Sequence, residues 1–204
     1  MTFRSSWLTW GLAAAVAALG GFLLARQLDR PAFELASGTW FPEPKPVSEF
    51  SLVDHTGKPF TLQELRGRPT LVFFGFTHCP DVCPTTLAQL AKIKHAAGIA
   101  DLRVLLLSVD PERDTPEALS QYVHAFDPEF VGATGTTEQV EQIARRFGVA
   151  MGKVPLPGGG YTMDHSAAIF LLDDQARIVA VFTPPFDTAK FAADLQHAED
   201  RLRS

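Results

Sequence analysis

The apolar positions of the chain change their spacing twice. From Trp7 to Ala25 the run WLTWGLAAAVAALGGFLLA carries no charge and is flanked by Arg4 and Arg26. At a helical rise of ~1.5 Å per residue, such a run nearly spans a hydrocarbon core of ~30 Å. It exceeds the about 7–15 apolar residues of a cleavable signal, and its small residues lie inside the run, where cleavage would leave an apolar stub. The pattern predicts a short tail over 1–6 and an uncleaved transmembrane helix over 7–25. Residues 26–46 hold Pro31, Pro42, Pro44 and Pro46, which favour an extended, semi-rigid backbone and predict a stalk.

From Val47 onward the segments alternate in type, which predicts one domain over 47–204. EFSLVDHTGKPFTL alternates apolar and polar residues around Asp54-His55-Thr56-Gly57, the pattern of a hairpin. PTLVFFGF (Pro69 to Phe76) and RVLLLSVD are continuous apolar runs of strand length, which suit strands buried on both faces. Between them, Leu87, Leu90, Ala91 and Lys94 recur at helical spacing, completing a βαβ unit. Asp114-Thr115-Pro116-Glu117 offers a capping box and a helix-opening proline, and Thr136 with Gln139 repeats the device before a helix ending near Phe147. SAAIFLLD and RIVAVF flank a second turn, Asp173 to Ala176, and a final helix from Thr188 carries the stripe Phe191, Leu195, Ala198 and Leu202. The expected fold class is α/β, a thioredoxin-like mixed sheet flanked by helices and preceded by the transmembrane helix. The course of Met151 to Gly160, MGKVPLPGGG, does not follow from its pattern.

Composition changes this picture little. The 204 residues are 46% hydrophobic and 20% charged, as in a globular chain. The net charge of -5 lacks the basic excess that phosphate neutralisation needs, which argues against a nucleic-acid partner. Arg26, Arg30 and Lys45 follow the apolar run while Arg4 precedes it, but long domains translocate largely regardless of such charges.

The candidate chemistry lies in FGFTHCPDVCPTTL, at the carboxyl end of the first buried run. It contains both cysteines, Cys79 and Cys83. If they straddle the first turn of the helix, their i,i+4 spacing puts both sulfurs on one face. Pro80 and Pro84 are tolerated there because first-turn amides lack intrahelical partners, and those amides favour thiolate. A structural staple is disfavoured, since so short a loop removes little entropy from the unfolded chain. A thioredoxin pair has two intervening residues rather than three. A peroxidatic cysteine would have threonine three positions earlier, where this chain has Phe76 and Pro80.

Two thiolates are soft ligands suited to Cu(I) or zinc, and zinc wants more protein ligands than Cu(I) does. A third ligand is sought among six histidines. His55, His95, His124 and His197 read as solvated, and His78 would point away from Cys79 on extended backbone. His165, in YTMDHSAAIF, stands at the entrance to a strand and could face the helix terminus. Residue types and spacing leave a redox pair and a metal site both open.

GFTHCPDVCP, VDPERDTPEAL at Val109 to Leu119, and DHSAAIFLLD at Asp164 to Asp173 together resemble the Sco/SenC proteins. The resemblance covers roughly Val47 to Leu202, and that family's anchor and stalk match what precedes it. It implies a copper-binding metallochaperone that helps assemble the CuA centre of cytochrome c oxidase, with Cys79, Cys83 and His165 as ligands. His165 would stand where a thioredoxin has its cis-proline. Asp81 and Asp164 also fit the pattern: Asp164 could supply a hydrogen bond to the imidazole, or both could serve turns and solvent. Asp110, Glu112, Arg113 and Asp114 read as loop structure and helix capping, with a partner contact as the alternative. The turn at Asp173 to Ala176 lacks the glycine often found there.

The expected cargo is Cu(I), with Cu(II) where an oxygen ligand or water completes a tetragonal site. The implied partners are the CuA-bearing subunit, a copper donor and, because an oxidising compartment joins nearby thiols, a thioredoxin-like reductant of the Cys79–Cys83 disulfide. The expected location is the bacterial inner membrane, single-pass, with the domain in the periplasm. The rival to a non-enzymatic carrier is a membrane-anchored thiol-disulfide oxidoreductase that reduces its target's cysteines. His165 discriminates the two, being useful to a metal site and dispensable to dithiol exchange.

Overall fold

The structure is a computed structural model that describes residues 5–28 and 33–203, with side chains described over 10–22 and 33–203. Residues 1–4 of the expected tail and 29–32 of the expected stalk lie outside the described residues. In chain order the elements are α1 (Ser5–Leu28), β1 (Gly38–Pro46), β2 (Ser51–Asp54), β3 (Pro59–Thr61), α2 (Leu62–Leu65), β4 (Thr70–Gly75), α3 (Val82–Ala97), β5 (Arg103–Ser108), α4 (Pro116–His124), β6 (Val131–Thr134), α5 (Thr137–Phe147), β7 (Met151–Pro155), β8 (Tyr161–His165), β9 (Ile169–Leu172), β10 (Arg177–Phe182) and α6 (Thr188–Arg203). They fall into two compact units, one ending at Phe33 and one beginning at Glu34.

The first unit contains α1, which covers the uncharged run. Among the described residues no helix is long and apolar enough to cross a membrane.

In the second unit the two continuous apolar runs, β4 and β5, are buried at every position. They pair in parallel at the middle of a mixed sheet of order β1-β10-β9-β4-β5-β6-β2-β3, the thioredoxin-like arrangement anticipated from sequence. β6 joins β5 in parallel, while β9, β10, β1, β2 and β3 are antiparallel to their neighbours. Burial on both faces is why these strands lack alternation. The carboxyl end of β4 is thereby fixed by parallel and antiparallel neighbours, and the cysteine motif starts there.

Of the expected stalk, residues 26–28 fall in α1, whereas Gly38–Pro46 is extended and pairs with β10 as the sheet's edge strand. Prolines are accommodated at an edge, where one side of the strand needs no partner, and the register shifts between Trp40 and Lys45. The buried Asp194 of α6 secures the chain entering β1. Its carboxylate accepts from the Ala36 and Ser37 amides at 2.8 and 2.7 Å and from the Ser37 hydroxyl at 2.6 Å.

Local signals held where tertiary partners did not compete. Thr136 and Gln139 form the expected capping box of α5. At α4 the cap is Thr115, whose side chain accepts from the Ala118 amide, with Pro116 opening the helix. Asp114 does not cap: it is fully buried and turned toward Thr77 and Ser108. The turn without glycine puts Ala176 at φ 61°, and Asp173 supports it by accepting from the Gln175 and Arg177 amides.

Candidate metal centre

The loop from Phe76 to Asp81 carries the chain from β4 into α3. The Cys79 amide donates to the Phe76 carbonyl at 3.3 Å, closing a turn that sets Cys79 before the helix, while Cys83 lies in its first turn. There the Cys83 amide, one of the helix's unsatisfied donors, points at the Cys79 sulfur at 3.3 Å. Pro84 costs no hydrogen bond at its first-turn position. Both cysteines are free thiols, Cys83 buried and Cys79 half-buried. Glycine at 75 lets the buried sulfur approach the strand, since a Cβ there would lie 3.2 Å from it.

His165 reaches this point from β8, which pairs with β7 as a separate antiparallel ribbon. The segment whose course the sequence left open is therefore β7 and the turn of that ribbon. The His165 Nδ1 meets the Ser166 carbonyl at 3.2 Å, an acceptor only, so in neutral imidazole Nδ1 carries the proton and Nε2 the lone pair. Nε2 lies 3.7 Å from the Cys83 sulfur, across 82 positions of sequence. The rings of Phe76 and Phe73 meet the imidazole edge-on at 5.9 and 6.2 Å, contacts that sequence reasoning missed because both phenylalanines read as core.

Burial tunes the two groups in opposite senses. It pushes the Cys83 thiol well up, with the neighbouring Cys79 adding to the shift. It pushes His165 down, against the opposing effects of the Ser166 carbonyl and Asp164. The imidazole is therefore neutral at pH 7 with a free lone pair, while the thiol must surrender a proton to bind metal. A buried sulfur, a nearby neutral imidazole and a second sulfur beside the helix terminus suit a soft ion of low coordination number.

Other expected participants stand elsewhere. Asp164 is exposed, on the ribbon face opposite His165, and the Ser166 carbonyl makes the orienting hydrogen bond. Asp81 sits at the N-cap of α3 without a capping hydrogen bond and accepts from the Thr85 hydroxyl at 3.4 Å. His78 is turned to the Thr77 hydroxyl at 2.9 Å. His95, His124 and His197 are exposed as expected. His55 is not merely solvated: its Nδ1 accepts from the Gly132 amide at 3.1 Å.

Beside the cysteine loop, Asp114 accepts from the Thr77 hydroxyl at 2.6 Å, the Thr77 amide at 3.2 Å and the Ser108 hydroxyl at 2.7 Å. Burial raises its pKa, and the Ser108 and Thr77 hydrogen bonds oppose the rise. Ligand atoms of His78, Asp110 and Asp114 approach within 4.8 Å of one another, but both carboxylates are already engaged by donors.

A dithiol at the amino end of a helix, faced by an imidazole from the strand leading back into the sheet, defines a thioredoxin-like domain arranged to gather soft ligands. The chain belongs to the SCO1/SenC family, whose profile matches residues 42–199. Human protein SCO1 homolog, mitochondrial, is 35% identical over 184 residues, 85% of this chain and 61% of that relative. The chain thus spans less than two thirds of that relative's length. Among solved structures, Arabidopsis thaliana ScoI with copper bound matches with a TM-score of 0.73 at 32% identity, over 76% of this chain and 98% of that one. Bradyrhizobium japonicum ScoI with copper bound matches with a TM-score of 0.68 at 40% identity, over 74% and 98%.

Proposed function

We propose that this chain is a copper metallochaperone that holds Cu(I) on Cys79, Cys83 and His165 and passes it to the CuA-bearing subunit of cytochrome c oxidase. The observation that carries this reading is the placement of His165, whose Nε2 lies 3.7 Å from the Cys83 sulfur while its Nδ1 meets the Ser166 carbonyl. Copper on the Arabidopsis and Bradyrhizobium relatives supports the choice of ion.

Delivery is a ligand exchange without change of oxidation state. Thiolates of the recipient replace Cys79, Cys83 and His165 one at a time, and the low coordination number leaves room for each incoming sulfur. When copper leaves, the Cys83 sulfur takes up a proton, because burial raises its pKa, and rebinding is disfavoured. The metal-free His165 is neutral at pH 7, because burial lowers its pKa. Loading requires a copper donor and, in an oxidising compartment, a thioredoxin-like reductant for the Cys79–Cys83 pair. Cu(II) binds where an oxygen ligand or water completes the site.

The same reading places residues 7–25 as a single-pass anchor in the bacterial inner membrane, 1–6 as its tail, and the domain in the periplasm, with Gly38–Pro46 of the expected stalk belonging to the domain's sheet. The uncharged run supports the anchor. Protease added outside spheroplasts should cut the domain, and protection there combined with cutting from the cytoplasmic side would contradict the orientation.

Transfer is tested by mixing the reduced, Cu(I)-loaded full chain in detergent with a metal-free, reduced CuA domain and measuring copper in each separated protein. Copper is expected to move to the recipient. The oxidoreductase reading would replace this one if copper stayed behind while the copper-free chain reduced a recipient disulfide at a rate unaffected by His165→Ala.

A further inference from the structure

Among the described residues the strands of the β7–β8 ribbon pair with each other and not with the main sheet. Beyond its covalent connections to α5 and β9, its position, and with it that of His165, is therefore fixed by side chains. Strand alternation puts Tyr161, Met163 and His165 on one face, and Met163 is buried. A rotation or slip at Tyr161 is thus felt at His165, since a one-residue slip would exchange the ribbon's faces.

Arg113 and Asp110 hold Tyr161 at three points. Its carbonyl accepts from Arg113 Nη1 at 3.1 Å, its hydroxyl donates to Asp110 Oδ1 at 2.7 Å, and the Arg113 guanidinium lies 3.9 Å from its ring centroid. Arg113 Nε bonds the other oxygen of Asp110, closing the ring of contacts. Asp110 is itself buried and anchored, its amide donating to the Ser108 hydroxyl at 3.0 Å, and Ser108 in turn donates to Asp114. The loop from Ser108 to Asp114 therefore grips both halves of the candidate site. On one side Asp114 holds Thr77, two residues before Cys79; on the other Asp110 and Arg113 hold Tyr161, four residues before His165.

We propose that Asp110, Arg113 and Tyr161 form a latch that fixes the β7–β8 ribbon and keeps His165 Nε2 opposite Cys83, so that Arg113 and Tyr161 are positioning residues for copper. This rests on His165 being a ligand. The latch is made of buried or stacked groups, unlike the exposed ion pair by which Glu112 of the same loop meets Lys153 of the ribbon, which is worth little by comparison. Burial and the Asp110 carboxylate push the Tyr161 hydroxyl up to about 12, so it remains a donor across the neutral range. Arg113 also lies 5.9 Å from the Phe76 ring, which itself meets His165 edge-on.

The test is Cu(I) affinity of the reduced full chain in detergent, measured by competition with a chelator, for Arg113→Ala, Tyr161→Phe and His165→Ala and for each latch variant combined with His165→Ala. Arg113→Ala is expected to weaken binding by about 10–100-fold, the range seen when a group supporting a ligand is removed. Tyr161→Phe, which keeps the ring and its stacking, should give a smaller loss. In the His165→Ala background neither latch change should add to the loss. In copper-free protein, Arg113→Ala should speed hydrogen exchange in β7 and β8 while leaving β4 and β5 unchanged. Equal losses with and without His165 would overturn the latch while sparing the ligand assignment. Wild-type affinity in Tyr161→Phe and Arg113→Ala would do the same. Wild-type affinity in His165→Ala alone would overturn the ligand assignment and the latch with it.

Discussion

The His165→Ala variant is expected to bind Cu(I) about 100-fold more weakly than the wild-type chain, at the upper end of what loss of a supporting contact alone costs. Its fold and its two titratable thiols should be unchanged, because the imidazole is half-buried at the rim and packs by ring edges on Phe73 and Phe76. Asp164→Asn should cost far less, since that carboxylate is exposed and the Ser166 carbonyl sets the tautomer. Affinity by chelator competition, with thiol counting and circular dichroism on the same samples, checks all three statements. A histidine variant with wild-type affinity would remove His165 from the site.

A fully oxidised chain is expected to bind no Cu(I), because two sulfurs joined to each other cannot both serve as thiolate ligands. Reduction of Cys79–Cys83 should restore loading without refolding, since so short a loop contributes little to stability. Loading should also strengthen with pH. Burial raises the Cys83 pKa, so at neutral pH the metal-free sulfur carries a proton that binding must release, and affinity rises by about tenfold per pH unit for each proton released. His165 adds nothing to this slope near pH 7, because its lowered pKa leaves it neutral there, and competes with copper only at lower pH. Anaerobic titrations of oxidised and reduced protein at several pH values, with the cysteine state fixed by alkylation, measure both effects. Loading of the oxidised chain, or an affinity that fell with rising pH, would refute the two-thiolate site.

The parts of the fold legible in the sequence are those whose partners are close in the chain or whose environment is uniform. β4 and β5 declare themselves as unbroken apolar runs because both faces of the sheet's middle are covered. The cap of α5 is legible because Thr136 and Gln139 satisfy each other locally. Asp114 misleads for the opposite reason: its distant partners Thr77 and Ser108 take the carboxylate, and Thr115 caps the helix instead. β1 is hidden by prolines that an edge strand tolerates, and β7 by the exposure of most of its residues, which leaves no alternation to read. At the site, the spacing of Cys79 and Cys83 suggests convergent sulfurs without further help. His165 meets Cys83 across 82 positions, beside Phe73 of β4, a contact no local pattern encodes; its place at a strand entrance made it a candidate, and the family resemblance singled it out as a ligand. The hold of Arg113 and Asp110 on Tyr161 is equally nonlocal.

The central claim is that one copper ion is held by two sulfurs of the dithiol and one nitrogen of the imidazole. X-ray absorption at the copper edge, on the reduced full chain loaded anaerobically with one equivalent of Cu(I), tests it most directly. Two sulfur scatterers and one imidazole nitrogen per copper are expected. A shell of four sulfurs and no nitrogen would contradict the account, because it would place copper between two chains rather than on Cys79, Cys83 and His165 of one.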